Sequence, residues 1–218
     1  MAKQKQTLKE KKKGKRSISD RQKTHAIISK LSYLGNRKAE KKIKKRLGED
    51  WNIDRDLSTR RHKVFYNKKT NESVYSARGT KVSDFKDLKS DLEIVGSRFK
   101  KNLFRRSKRV KDEKKAFSKF SKKYSDYDRQ GTGHSLGGAV IAELTKKDKD
   151  VEATAFSRGS FSTKGKYSRN LTDVVNPNDW ISQRVLKQHG PQKKIIFGGK
   201  NAKHKFDKLS AHSINQFL

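Results

Sequence analysis

The stretch Gly133-His134-Ser135-Leu136-Gly137-Gly138 decides the fold. An apolar run rich in small residues follows it at once, from Ala139 to Leu144, and predicts a buried helix. A Gly-x-Ser-x-Gly sequence between a strand and a helix forces a sharp turn from which the serine hydroxyl projects. Gly-x-Ser-x-Gly alone is weak evidence, because Gly and Ser are common in loops, but the six residues together with this helix are specific. We therefore predict that Ser135 is a nucleophile.

The residues around Ser135 have supporting roles in this prediction. Gly133 and Gly137 lack side chains and allow the neighbouring backbone to approach closely. Ser135 itself lies at a helix N-terminus, where backbone N–H groups and the helix dipole stabilise developing negative charge. The N–H of Leu136 is then one donor to the oxyanion of a tetrahedral intermediate.

The order of predicted helices and strands indicates the fold class. Two strand-like segments, 63–66 and 73–77, flank the turn-forming residues 67–71 and predict a β-hairpin. Further strand-like segments follow the Ser135 motif, at 151–156, 171–176 and 194–197. Helices between such strands predict an α/β-hydrolase-like fold, with a mostly parallel central sheet flanked by helices.

Further helices are predicted from apolar spacing and caps. Apolar residues at helical spacing over 19–47, interrupted near Gly35, predict two short basic helices packed on the domain. A helix capped by Ser83 and another over residues 97–124 are predicted in the same way. The predicted organisation is a flexible basic tail, a basic helical extension and an α/β domain, over residues 1–17, 18–50 and 51–218.

Positive charge dominates the composition. The chain carries 57 Lys and Arg against 23 Asp and Glu, a formal net charge of +34. Residues 131–180, around the Ser135 motif, hold 7 basic and 6 acidic residues, whereas residues 1–50 hold 18 and 5. A positive field of this kind attracts polyanions, and the predicted partners are an anionic membrane surface or nucleic acid. Composition does not separate these two.

The absence of cysteine excludes disulfides and thiolate zinc sites. The basic N-terminus has no apolar stretch of the length that a secretory signal requires. No window approaches the roughly 20 apolar residues of a membrane span. We therefore expect an intracellular or virion-associated protein, and chemistry at Ser135 that uses no metal and no cofactor.

Four motifs together resemble the class 3 lipases over roughly residues 51–218. They are Gly133 to Gly138, Tyr75-Ser76-Ala77-Arg78-Gly79-Thr80, Val174-Val175-Asn176-Pro177-Asn178-Asp179 and Ala211-His212-Ser213-Ile214. The second is similar to the family's Arg-Gly-Thr/Ser oxyanion strand, the third to the turn that presents the acid, and the fourth to the segment that carries the base. Residues 57–60 and 64–67 resemble, in addition, the small lysine-rich members found in large DNA viruses and their relatives.

The resemblance implies roles for residues outside the Ser135 motif. It makes Thr80 a second oxyanion donor and gives Asp84 the role of bracing the loop that follows. It makes Asp179 the triad carboxylate and His212 the general base. The order Ser, Asp, His along the chain is the one that α/β-hydrolases use.

Reasoning from the residues alone leaves rivals for the base and the acid. His204 lies among lysines, where protonation is disfavoured, and His189 lies beside a Gly-Pro turn typical of the surface. His134 adjoins the nucleophile but points elsewhere from a sharp turn, which favours a structural role. Asp173 lies at the start of its predicted strand, whereas sites of open α/β sheets form at the carboxyl ends of strands, which favours Asp179.

The segment expected to be the strand before Ser135, residues 124–132, is strongly polar. A central parallel strand is usually apolar on both faces. We therefore expect either a poorly covered sheet at this strand or pairing of Asp128 and Arg129 within the structure.

These features predict a serine carboxylester hydrolase that acts on lipid esters, either phospholipid or acylglycerol. The alternative is a basic structural or packaging protein that binds nucleic acid, a viral particle or another anionic surface on a weakly active or inactive lipase fold. A protease or thioesterase can use the same triad. Head group, acyl length and oligomeric state carry no sequence signal.

Overall fold

A computed structural model describes residues 18–80, 107–146, 148, 150–158, 169–176, 179, 194–197 and 212–218. Its α-helices are α1 (Asp20–Leu31), α2 (Asn36–Leu47), α3 (Lys108–Lys123) and α4 (Leu136–Leu144), and a 3-10 helix spans Ile214–Phe217. Its strands are β1 (Trp51–Asp54), β2 (His62–Asn67), β3 (Glu72–Ala77), β4 (Asp128–His134), β5 (Glu152–Phe156), β6 (Leu171–Val175) and β7 (Lys194–Phe197). None of the α-helices in these ranges is long and apolar enough to cross a membrane.

The strands of the described ranges form one seven-stranded sheet in which the spatial order follows the chain, from β1 to β7. β1, β2 and β3 pair antiparallel, and the β2–β3 pair is the predicted hairpin. From β3 to β7 every pairing is parallel. The predicted α/β-hydrolase-like class, a mostly parallel sheet flanked by helices, is confirmed. Because β3 to β7 are parallel, their carboxyl ends meet at one edge of the sheet.

One face of the sheet is covered by α3 and α4. Phe117, Phe120 and Tyr124 at the α3 side and Val140 and Ile141 of α4 belong to the cluster of buried apolar side chains on this face. α3 is amphipathic, with apolar residues on one side and lysines on the other. Its apolar side is therefore buried against the sheet and its lysines face the solvent. The helix predicted after Ser135 is therefore present and buried.

The two predicted basic helices cover the other face. Ile28 and Leu31 of α1 and Ile43 of α2 pack with Phe65 and Val74 of the hairpin. Ser19 begins α1 with a capping box in which its side chain and that of Gln22 exchange bonds with the backbone. Residues 18–50 are therefore one layer of the folded domain, and α1 and α2 close the second face of the sheet.

The predicted helix over residues 97–124 is wrong at its start. Ser107 has an extended backbone conformation, and its hydroxyl accepts a hydrogen bond from the N–H of Val110 at 3.3 Å. It is therefore an N-cap, and α3 begins at Lys108 because the cap satisfies an N–H group that has no partner within the helix. Residues 97–106 and the predicted helix after Ser83 lie outside the described residues.

The polar strand before Ser135 is shorter than predicted and is well covered. Tyr124 ends α3, and β4 begins only at Asp128. Asp128 pairs with Arg21 of α1 at 3.1 Å, and Arg129 lies 3.7 Å from Asp148. Of the two expectations for this strand, pairing of its charges is confirmed and poor coverage is wrong, because α1 lies across it.

Candidate active site

Ser135 lies at the sharp turn between β4 and α4. Its backbone has φ 55° and ψ −122°, a left-handed conformation that non-glycine residues rarely adopt. The N–H of Ser135 donates to the carbonyl of Phe156 at the end of β5, at 3.0 Å. These constraints hold the serine at the carboxyl edge of the parallel strands.

Gly133 and Gly137 are required by close backbone approach at this turn. A Cβ on Gly133 would lie 2.8 Å from the N of Gly138. A Cβ on Gly137 would collide with the carbonyl of Ala77 and would lie 2.9 Å from the carbonyl carbon of Arg78. The glycines therefore let the end of β3 pack directly against the start of α4.

The structure brings Ser135, His212 and Asp179 together. The Nε2 of His212 lies 2.9 Å from the Oγ of Ser135, and its Nδ1 lies 2.8 Å from the Oδ2 of Asp179. All three residues are buried. A carboxylate only accepts hydrogen bonds, so Nδ1 of His212 carries the proton and Nε2 is free to accept one from the serine hydroxyl.

Asp173, the rival acid, has a different partner. Its two carboxylate oxygens accept from Nε and Nη2 of Arg158, at 2.7 Å and 2.9 Å. Both side chains are buried, with 4% and 1% of their areas exposed, so the carboxylate is engaged inside the protein. Asp179 instead follows β6 after Asn176, whose carbonyl accepts from the Asp179 N–H at 3.0 Å. The acid at the carboxyl end of the strand is the one that reaches His212.

His212 is docked by the short apolar helix that follows it. Ser213 caps the 3-10 helix, and Ile214 and Phe217 pack against Phe156 and Val174 on the face of the sheet that α1 covers. Burial of these side chains fixes the position of the His212 backbone. The rival bases His189 and His204 lie outside the described residues.

Thr80 and Leu136 lie on the two segments that meet at Ser135. Leu136 is the first residue of α4, so its N–H has no acceptor within the helix. Thr80 follows the end of β3, which the Gly137 contact holds against the same turn. Asp84, the residue implied to brace this loop, lies outside the described residues.

Two polar side chains complete the surroundings of the site. His134 Nε2 lies 2.6 Å from the carbonyl oxygen of His212, and His134 Nδ1 lies 3.1 Å from the hydroxyl of Tyr33. Burial lowers the pKa of His134 to about 3, so the ring is neutral. The structural role predicted for His134 agrees with these contacts. Tyr33 was not predicted, because it lies 101 positions from His134 in the chain and belongs to no motif.

No protein-family model and no curated protein sequence matches the chain significantly. Among solved structures it is similar to a deletion mutant of the Rhizomucor miehei lipase propeptide complex, with 15% identity, TM-score 0.46 and 76% of this chain covered. The chain spans 63% of the length of that protein. It is also similar to Lip2 lipase from Yarrowia lipolytica, with 14% identity, TM-score 0.49 and coverage of 74% and 71% of the two chains. It is similar as well to the lipase from Rhizopus microsporus var. chinensis, with 12% identity, TM-score 0.45 and coverage of 92% of this chain and 87% of that one.

Proposed function

We propose that the protein is a serine carboxylester hydrolase in which Ser135 is the nucleophile, His212 the general base and Asp179 the carboxylate that orients the base. One observation carries the proposal. An unbroken hydrogen-bonded chain runs from the serine Oγ to His212 at 2.9 Å and from His212 to the aspartate at 2.8 Å. A base within hydrogen-bond reach of a hydroxyl, itself oriented by a third group, is the arrangement that activates a serine.

The reaction follows from these contacts. His212 Nε2 takes the proton of the Ser135 hydroxyl as Oγ attacks the ester carbonyl carbon, and the carbonyl oxygen becomes an oxyanion. The imidazolium, stabilised by Asp179, then gives its proton to the leaving alkoxide, and an acyl-enzyme forms. Water attacks the acyl-enzyme with the same base, so one ester and one water become one acid and one alcohol.

The oxyanion is stabilised in this proposal by backbone donors. The Leu136 N–H points from the first turn of α4, where the helix dipole also favours negative charge. Thr80 supplies the second donor from the loop after β3. Removal of one such donor typically lowers kcat by roughly 100- to 1,000-fold.

The proposed substrate is a lipid ester, phospholipid or acylglycerol, at an anionic membrane surface. The triad alone does not choose between lipid esters and other acyl compounds. Support comes from the motifs that resemble class 3 lipases and from the basic helices on both faces of the sheet. On α2 and α3, exposed cations have no ion-pair partner among the described residues, namely Arg37, Lys38, Lys41, Lys42, Lys45, Arg46, Lys111, Lys115, Lys119 and Lys122. Each basic residue near an anionic surface contributes about 1 kcal/mol of attraction.

The test is labelling with a fluorophosphonate probe, followed by hydrolysis assays on a panel of phospholipids and acylglycerols. We expect the wild type to label and to hydrolyse lipid esters, and Ser135→Ala to lose both activities while it keeps its circular dichroism spectrum. Hydrolysis that survives in Ser135→Ala contradicts the proposal.

The same panel tests the surface. Phospholipid presented in vesicles with anionic lipid should be hydrolysed faster than the same phospholipid in zwitterionic vesicles, and added salt should reduce the difference. Equal rates on both vesicles would remove the anionic membrane from the proposal. Nucleic acid or a viral particle would then be the remaining partner for this charge.

A further inference from the structure

His134 precedes the nucleophile, and its hydrogen bonds have only one consistent direction. The carbonyl oxygen of His212 only accepts, so Nε2 of His134, 2.6 Å away, must carry the proton. The ring is buried and its pKa is lowered to about 3, so it is neutral and Nδ1 has no proton. Nδ1 is therefore an acceptor, and the hydroxyl of Tyr33, 3.1 Å away, must be the donor.

Tyr33 continues this chain toward the oxyanion loop. Its hydroxyl is the hydrogen-bond partner of the Gly79 backbone, and burial raises its pKa to about 12, so it stays protonated and can donate. Since its proton goes to His134, its oxygen accepts from the N–H of Gly79. A Cβ on Gly79 would collide with this hydroxyl and would lie 2.6 Å from the carbonyl oxygen of His134.

We infer that Tyr33 and His134 form a positioning relay that holds the oxyanion loop and the general base in register with Ser135. One end of the relay is the backbone of Gly79, next to Thr80, and the other end is the backbone of His212. The inference rests on the proposed function, because it assigns the relay to those two catalytic roles. Neither residue is placed against substrate, so both are positioning residues.

The relay agrees with the oxyanion donors proposed above. The Tyr33 hydroxyl lies against the Gly79 backbone. Thr80, one residue later, is the proposed donor from this loop. A displacement of about 1 Å at a reacting group lowers the rate on the order of 100-fold, so a loose loop or a loose base has a large effect.

Site-directed variants of the full chain test the relay. Tyr33→Phe removes the donor to His134 and the acceptor for Gly79, and we expect kcat on a soluble ester to fall roughly 10- to 100-fold with little change in KM. His134→Gln places an amide N–H where Nε2 lies, which keeps the donor to His212 but loses the acceptor for Tyr33, and it should lose less activity than Tyr33→Phe. His134→Asn keeps an acceptor for Tyr33 but loses the donor to His212, and should lose as much activity as Tyr33→Phe.

Tyr127→Phe is the matched control. It makes the same chemical change just before β4, at the end of that strand opposite Ser135, and the Tyr127 hydroxyl makes no hydrogen bond among the described residues. Its kcat should equal that of the wild type. The relay is overturned if His134→Gln and His134→Asn lose equal amounts of kcat and these losses follow their losses of thermal stability. That result would indicate that His134 acts only through packing.

The tautomer of His134 gives a readout that packing does not move. Nitrogen-15 NMR of the imidazole should find the proton on Nε2 in both the wild type and Tyr33→Phe, because the His212 carbonyl fixes it, and the Nδ1 resonance should move in Tyr33→Phe, where the hydroxyl donor is lost. A proton on Nδ1 in the wild type overturns the relay.

If the wild type hydrolyses esters and Tyr33→Phe is equally fast, the relay fails and the proposed function stands. A wild type that resists the fluorophosphonate overturns the proposed function and with it the catalytic meaning of the relay.

Discussion

At the scale of single residues, Ser135 combines two demands that conflict. Its hydroxyl must project toward His212, and its backbone must turn from β4 into α4 with φ 55° and ψ −122°. A side chain in this region of backbone space costs roughly 1–3 kcal/mol, which the surrounding packing has to offset. Strain of this kind is common where a site depends on one fixed geometry.

The strain predicts an order of stability for two inactive variants. Ser135→Ala and Ser135→Gly both lose the hydroxyl, but only Gly adopts this conformation without strain. We expect the Gly variant to be more stable than the Ala variant by about 1 kcal/mol, measured as the free energy of unfolding in urea. An Ala variant as stable as the Gly variant would show that the turn is relaxed.

At the scale of elements, the contact between α1 and β4 is a polar seam. It consists of His25 and Ser29 on α1 and Tyr33 just beyond it, opposite Gln130, Thr132 and His134 on β4. Residues four apart on a helix rise about 6.0 Å, and residues two apart on a strand rise about 6.6 Å. The two spacings match closely enough for three successive pairs, which makes a polar central strand compatible with a buried sheet.

His25 makes the stability of this seam dependent on pH. Its Nε2 lies 2.6 Å from Gln130 Oε1 and its Nδ1 lies 2.8 Å from Thr154 Oγ1, and burial lowers its pKa to about 4. Unfolded His25 has its ordinary pKa of about 6.5, so the unfolded state binds more protons between these values. The stabilisation is complete above pH 6.5 and is lost as the pH falls to about 4.

The variant that tests this dependence is His25→Gln, which cannot titrate. The free-energy advantage of the wild type over this variant should shrink by about 3 kcal/mol between pH 7 and pH 4. Urea unfolding at several pH values measures it, and the other buried histidines of the described residues, His62, His134 and His212, cancel because both proteins contain them. A difference that stays constant with pH would contradict the shift at His25.

At the scale of the whole molecule, residues 18–50 cannot be separated from the rest. α1 and α2 cover Phe65, Val74, Phe156 and Val174 on one face of the sheet. A fully buried side chain of this kind contributes about 1.5–3 kcal/mol, and a whole domain is stable by only about 5–15 kcal/mol. The proposed relay also begins in this segment, at Tyr33.

Deletion of residues 1–50 should therefore abolish cooperative thermal unfolding, because it exposes one face of the sheet to water. Deletion of residues 1–17 leaves the Ser19 cap and both helices intact and should keep the midpoint of unfolding close to that of the full chain. Near-ultraviolet circular dichroism during heating distinguishes the two. A cooperative transition in the protein without residues 1–50 would show that the sheet is stable with one face open.

How far the sequence predicts this molecule depends on the distance over which each signal acts. The turn at Ser135, the helix after it and the hairpin are local patterns, and the sequence alone predicts them well. The polarity of β4 predicted that its charges are paired, but not with which residues, because its partners on α1 lie far away in the chain, 105 positions for His25 and Gln130. Hydrogen bonds over such separations leave no periodic pattern in the chain. The Ser107 cap was missed because continuous helical spacing on both sides concealed the break.

The agreement between strand order and chain order has a consequence for biosynthesis. Each strand from β1 to β7 can join the edge of the growing sheet as it leaves the ribosome. α1 is made first, yet its partners on β4 and β5 emerge more than 100 residues later, as the pair Arg21 and Glu152 shows with a separation of 131. Contacts of such separation form slowly, since a long loop must close before they stabilise the chain. In the nascent protein α1 can therefore pack on α2 and the hairpin early, but it completes its contacts only after β5 has emerged.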